Sequence, residues 1–234
     1  KKLYFITTEI IPFANVTSLA DFSTKIPLLL QENGHDIRTI IPKYGYVSER
    51  KYILREVIRL REIPFQFKGE DQIASAKSAF IPKTRVQVYF LEDEYWFKPL
   101  TNLVYKSKNG RILADNAERY GYYSKAVLST LPHLFWAPDI FICNGWQSAL
   151  IPGMFKKHYS PGIPVYFNKK FIDKASGKNT ARPQLEAMLD YARDGDTIII
   201  HSMDRLARNL DDLRKLVTQL AGQQIRVEFV KEGL

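Results

Sequence analysis

The chain has 234 residues, 45% hydrophobic and 25% charged, which is enough apolar material for one large domain or two modest ones and excludes wholesale disorder. No apolar run approaches the length needed to span a bilayer, and one cysteine, Cys143, excludes an internal disulfide and a multi-cysteine metal site. The net charge of +9 raises nucleic acid as a partner, but ten Lys plus Arg balance ten Asp plus Glu over 171–234, so the whole excess lies interspersed in 1–170, as on a solvated lysine-rich surface.

The start, KKLYFITTEIIPF, is interrupted by Thr7, Thr8 and Glu9, so it reads as a buried strand over 3–11 and not as a targeting segment. That places the protein in the cytoplasm. Pro12 and a polar loop lead into LADFSTKIPLLLQENG, whose apolar spacing predicts a helix ending at Gly34. DIRTIIPKYG is a second strand, closed by Pro42 and Gly45. A helix between two short apolar strands is a βαβ unit, which predicts a parallel sheet with a right-handed crossover. RVQVYFLED (85–93) alternates as a further strand, and NAERYGYYSKAVLSTLPHLF has the three-to-four spacing of a helix. PDIFICNG is a buried strand with Cys143 as a buried structural thiol, and WQSALIPGMFKKHY is a helix with an internal proline.

YSPGIP (159–164) breaks this rhythm with two prolines and a glycine. Beyond it come FID as a short strand, a polar loop, and RPQLEAMLDYARDG as a helix with Pro183 near its first turn. DTIIIHSM reads as a buried strand, RLARNLDDLRKLVTQLAG as one helix, and IRVEFVKE as a final strand. The expected organisation is α/β throughout. A Rossmann-like parallel-sheet domain spans 1–160, a junction 161–170, and a smaller α/β fragment 171–234.

Ligands of open parallel sheets bind at the carboxyl ends of strands, so the loops after strands hold the candidate site. Three such loops stand out: FANVTSLAD, LADNAERYGYYSKAVL and CNGWQSALIP. In the second, Asp115 or Asn116 is placed to cap a helix, with Arg119 one turn in. In the third, Gly145 permits an unusual backbone angle, and Trp146 with Gln147 forms a stacking platform for a sugar ring.

TEIIPFANVTSLAD, GHDIRTIIPKYG, DNAERYGYYSKAVL and PDIFICNGWQSALIP, in this order and spacing, resemble the N-terminal domain of bacterial glycogen and starch synthases, GT-B glycosyltransferases that use ADP-glucose. The resemblance implies ADP-glucose or a glucan as partner, and no metal or cofactor. It also implies K-x-G-G-L-x-D in the first loop, with the lysine and the glycine amides holding the donor's phosphates. Here Asn15, Thr17 and Ser18 stand at those positions and Asp21 is kept. In the third loop Ile142 replaces a histidine and Gly145 an aspartate, while Asn144, Trp146 and Gln147 are kept. The family works between two Rossmann-like domains, and nothing after residue 160 resembles the second. The first half therefore reads as a glycosyltransferase-like domain without transfer activity. Residual glucan or nucleotide-sugar binding, and transfer completed by a separate chain, are the alternatives.

FIDKASGKNTARPQLEAMLDYARDGDTIIIHSMDRLARNLDDLRKLV resembles the catalytic domain of serine recombinases of the resolvase and invertase type. That resemblance implies phosphate-binding roles for Arg182, Arg205 and Arg208, with Asp204 as the acidic residue beside them. Arg205 and Arg208, three apart, are expected on one helical turn facing one phosphate, and Asp204 is expected to cap that helix. The family's nucleophilic serine has no counterpart, and Ser160, Ser176 and Ser202 do not occupy its place. Weak, phosphate-directed DNA binding is the most this part is expected to retain. The two resemblances meet near 160–170, as in a chimera. PVYFNKKFID is expected to be recruited to cover part of the gap left by the recombinase fragment's missing first strand.

Overall fold

The computed structural model describes residues 1–101, 103–158, 165–168, 182–207, 209–231 and 233. They fall into two compact units, one ending with the strand at 165–168 and one from Arg182 onward.

In the first unit, β1 (Lys2–Ile6) is buried on both faces and leaves the sheet at Thr7, earlier than the apolar run suggests. Residues 7–17 form a compact loop in which Ile10 bridges Ala14. α1 (Ser18–Glu32) follows, capped by the Thr17 hydroxyl, which accepts from the Leu19 N–H. Gly34 then reverses the chain at φ +79°, an angle glycine adopts without strain. β2 (Asp36–Pro42) pairs parallel with β1, so the βαβ unit forms as expected.

The sequence pattern assigns no element between β2 and residue 85, yet the chain builds the sheet's antiparallel edge there. After the single turn α2 (Glu49–Tyr52) come β3 (Arg55–Glu56), β4 (Ile63–Phe67) and β5 (Glu70–Phe80). β4 and β5 form a hairpin whose two-residue loop, Lys68 and Gly69, has φ of +54° and +84°. Two positive φ values in succession match the twist of the flanking strands. β6 (Gln87–Glu92) lies between β5 and β2 and is buried on both faces, so the alternation expected of it is absent.

α3 (Asn116–Thr130) stops before Pro132 and continues as one 3₁₀ turn. The Tyr123 hydroxyl, buried under it, lies 2.7 Å from the Thr7 carbonyl and 3.0 Å from that of Ile40. β7 (Ile140–Asn144) pairs parallel with β1, and burial pushes the Cys143 thiol pKa up. A 3₁₀ turn over Trp146–Ser148 precedes α4 (Leu150–His158). β8 (Val165–Asn168) pairs parallel with β7, giving the order β3-β5-β6-β2-β1-β7-β8 with β4 on β5. Of PVYFNKKFID, expected to cover part of the second unit's gap, VYFN extends the first sheet, whose β7 edge offers it a parallel ladder. Residues 164 and 169–173 of that segment lie outside the described residues, as do the expected FID strand and the ASG loop.

The second unit comprises α5 (Pro183–Tyr191), β9 (Thr197–Ile200), α6 (Met203–Leu206), α7 (Leu210–Gly222) and β10 (Arg226–Phe229). β9 and β10 pair parallel. β9 is not fully buried as expected: Ile198 packs inward with Leu220 and Ile225, whereas Ile199 is 66% exposed. The single helix expected over 205–222 is broken. Ala207 is extended, and the Asn209 side chain starts a new helix by accepting from the Asp212 N–H. No helix among the described residues is long and apolar enough to cross a membrane.

Candidate functional site at the carboxyl ends of the strands

The loop after β1 is organised by Glu9. Its carboxylate is fully buried and accepts from the Val16 N–H at 2.8 Å, the Thr17 N–H at 2.7 Å and the Thr17 hydroxyl at 2.7 Å. These donors, the N-cap residue and the one before it, lie just ahead of α1, near the positive end of the helix dipole. An internal carboxylate already fills that position. Asn15, Ser18 and Asp21 are exposed around the same turn, and Asp21 pairs with Lys25 at 2.8 Å. Sequence reasoning names Thr17 but misses Glu9, whose signal is an acid inside an apolar run.

At the start of α3, Asp115 and Asn116 do not cap through their side chains. The Asp115 carboxylate instead takes both Arg119 nitrogens, at 2.6 and 2.7 Å. The buried Arg119 also donates to the Trp96 carbonyl and to Asn116 Oδ1, each at 3.0 Å. Asn116 donates to the Tyr105 carbonyl at 2.8 Å, and the Tyr120 hydroxyl to the Val104 carbonyl at 2.7 Å. Arg119 and Asn116 thus tie Trp96 and Tyr105 to the start of α3.

The loop after β7 meets both of these. Asn144 donates to the Ile6 carbonyl at 3.2 Å, which ties β7 to the end of β1. Gly145 has φ +77°, and a Cβ there would lie 2.5 Å from Gln147 Oε1 and 3.1 Å from a Leu19 methyl. Trp146 is 42% exposed, with its ring edge-on to Tyr120 at 5.2 Å and to Tyr105 at 5.6 Å. Gln147 is buried, so of the pair expected to form a sugar platform only Trp146 is exposed. Ile142 lies in β7.

Tyrosines from the loop after β2 complete the rim, and sequence reasoning misses them too. Tyr44 and Tyr46 stack at 5.3 Å, and the Tyr44 hydroxyl donates to the Thr8 carbonyl at 3.0 Å. Burial first, and then the Glu9 charge, raises the Tyr46 pKa. Among the described residues, the buried Thr8 Oγ1, Tyr46 Oη, Asn144 Oδ1 and Gln147 Oε1 have no hydrogen-bond partner. All four lie in residues at or just beyond strand ends.

In the second unit, Arg182 Nη1 donates to the carbonyls of Arg205 and Leu206 at 3.0 and 2.9 Å. Its guanidinium therefore closes the carboxyl end of α6, where helical carbonyls lack partners. Asp204 does not cap α6: it accepts from the Ser202 hydroxyl at 2.5 Å, and this bond lowers its pKa. Arg205 is exposed, 3.6 Å from Asp204. The helical turn expected to align it with Arg208 ends at Leu206, and Arg208 lies outside the described residues. Ser160 and Ser176 lie outside them as well.

An open, largely parallel sheet with loops converging at the carboxyl ends of β1, β2 and β7 defines an α/β domain of the Rossmann-like ligand-binding class. The family model for the starch synthase catalytic domain matches residues 2–172, and the chain belongs to that family. The model for the resolvase N-terminal domain matches residues 162–234. The glycogen synthase of Chlorobium limicola is 34% identical over 159 residues, which cover 68% of this chain and 32% of the relative. That of Chlorobaculum parvum is 35% identical over 217 residues, covering 93% and 43%. The chain thus spans only part of these relatives. Among solved structures, the catalytic domain of starch synthase IV from Arabidopsis thaliana, bound to ADP and acarbose, shares the fold. Its TM-score is 0.66 at 17% identity, over 97% of this chain and 51% of that one.

Proposed function

We propose that the first unit is a glycogen- or starch-synthase-like domain that retains ADP-glucose or glucan binding at the ends of its strands but carries out no glucosyl transfer. The second part is, in this reading, a serine-recombinase catalytic fragment without its nucleophile, joined to the first as a chimera. The observation that carries the carbohydrate reading is Trp146, an exposed indole at the strand ends held edge-on by Tyr105 and Tyr120. An aromatic ring fixed in this way presents a face on which an apolar sugar face stacks. Loss of transfer is supported by the missing charge at Asn15, by Ile142, which offers no hydrogen bond to a sugar or to developing charge, and by Glu9, an internal carboxylate on the Val16 and Thr17 amides just ahead of α1. Loss of strand cleavage is supported by Arg182, which serves α6 carbonyls, and by Ser202, whose hydroxyl is bound to Asp204.

Calorimetric titration of the full chain with maltoheptaose and with ADP-glucose tests the reading. Binding of at least one ligand, lost in Trp146→Ala, is expected, with no glucose incorporated into glucan. Silence with both ligands overturns the binding function, and measurable incorporation overturns the inactivity.

A further inference from the structure

Beside the aromatic platform the chain carries a second chemical feature. The stretch Tyr105–Arg111, YKSKNGR, has three cations and no acid. It folds as a tight turn in which Lys106 bridges Ile112 and the Ser107 N–H donates to the Arg111 carbonyl at 2.8 Å. Gly110, at φ +76°, closes it, its N–H donating to the Ser107 carbonyl at 2.9 Å. Lys106, Lys108 and Arg111 are all exposed, and none has a carboxylate within ion-pair distance among the described residues. Some exposed lysines of this unit do pair with carboxylates, as Lys25 with Asp21 and Lys68 with Glu118; what sets the hairpin apart is three cations within six residues with no acid among them.

The hairpin is rooted in the platform. Lys106 Nζ stands 5.4 Å over the Tyr105 ring, and that ring lies 5.6 Å from Trp146. One tyrosine therefore separates an unpaired ammonium from the exposed indole. Just ahead of α1, the Val16 and Thr17 amides are already taken by the Glu9 carboxylate. Lys106 brings the hairpin's charge to within one ring of Trp146, with Lys108 and Arg111 on the same turn.

We propose that Lys106, Lys108 and Arg111 form a phosphoryl-binding subsite beside Trp146, so that the carbohydrate held there bears a phosphate. The chemistry is that of two mobile ammonium groups and one guanidinium fork, which pairs with phosphate oxygens two at a time. A sugar nucleotide and a phosphorylated glucan present the same group next to a sugar ring. The inference rests on the carbohydrate reading of Trp146.

Three ligands separate the possibilities in calorimetric titrations of the full chain at low salt: maltoheptaose, a phosphorylated maltooligosaccharide and ADP-glucose. One of the phosphorylated ligands is expected to bind about tenfold more tightly than maltoheptaose, the sum of three exposed charge contacts. The ligand that shows the gain identifies the source of the phosphate. The gain is expected to vanish in the triple variant Lys106→Gln, Lys108→Gln, Arg111→Gln, and at about 0.5 M salt, where exposed charges are screened. Maltoheptaose affinity should not change. A matched control, Lys25→Gln with Lys68→Gln and Lys98→Gln, removes equal charge elsewhere and is expected to keep the gain. Equal affinity for neutral and phosphorylated ligands, a gain that survives the triple variant, or one lost equally in the control overturns the subsite and leaves the carbohydrate reading standing. Absence of binding by all three ligands overturns both.

Discussion

Glu9 and Thr17 are joined twice: the Glu9 carboxylate accepts the Thr17 backbone N–H and the Thr17 hydroxyl, each at 2.7 Å. With the Val16 N–H as third donor, a buried negative charge is what shapes the loop between β1 and α1. Glu9→Ala leaves two amides of that loop without an acceptor and should lower stability by about 2–4 kcal/mol. Glu9→Gln keeps one acceptor oxygen but turns an NH₂ toward a donor, so a smaller loss is expected. Urea unfolding of the three proteins checks the order, and an unaltered midpoint in Glu9→Ala would show that the loop is held by other contacts.

Gly145 sits where the resemblance to glycogen synthases implies an aspartate. At φ +77°, with Gln147 Oε1 2.5 Å from the position of a Cβ, a side chain meets both backbone strain and a neighbour. Gly145→Asp should therefore destabilise by roughly 1–3 kcal/mol. If contact with Gln147 is the larger part, Gly145→Asp with Gln147→Ala should lose less than the sum of the single changes, because the two sites share one space. Strict additivity in thermal unfolding would assign the cost to φ alone.

Four charges bind the loop after β2 to the antiparallel edge. Glu49 lies 2.6 Å from Lys43 and 2.7 Å from Lys77, while Glu92 lies 3.5 and 3.3 Å from the same ammonium groups. The Lys43 ammonium first, then that of Lys77, lowers the Glu49 pKa, and Glu49 in turn raises that of Lys77. The Glu49 contribution is therefore present above its ordinary value of 4.5 and lost as pH falls through its lowered folded value. The Lys77 contribution is present below 10.5 and lost as pH rises through its raised value. Glu49 is 43% exposed, so screening limits the cost of Glu49→Gln at neutral pH to about 0.5–1 kcal/mol. That cost should shrink as the pH falls through Glu49's lowered folded value, where the carboxylate becomes neutral in both states. A difference independent of pH between 3 and 7 would mean that the ring contributes through packing instead of charge.

The parts of this fold that were legible in sequence are those whose burial imposes a pattern. LYFI and IFIC are buried β1 and β7, and the spacing in NAERYGYYSKAV is that of a helix packed along most of its surface. The β4–β5 hairpin escaped because Ile73 is exposed and the run is half polar; its only local mark is Gly69 after Lys68. The separation of α6 from α7, with Asn209 starting the second, escaped for another reason. An amphipathic period carries across it, while the stop is written in one capping residue, Asn209, with Asp212 three positions on. Glu9, Tyr44 and Tyr46 lie near one another only because parallel strands bring separate loops to one end of the sheet, and no window of contiguous sequence contains that fact.

Arg182 illustrates how a residue named for a phosphate can serve the backbone. Its Nη1 reaches two carbonyls at the end of α6, a four-residue helix that cannot satisfy them itself. Arg182→Ala removes that donor and should cost about 1–2 kcal/mol, read as faster amide exchange at Leu206, Ala207 and Leu213, which pack around α6 and the start of α7. Arg182→Lys keeps the charge but has no planar fork, so it should recover little of the protection. Were phosphate binding the residue's present role, Arg182→Ala would leave exchange unchanged and weaken association with duplex DNA in a salt-dependent way. Slowed exchange on adding DNA to the wild-type chain, absent in Arg182→Ala, would return the arginine to the phosphate role that its sequence context implies.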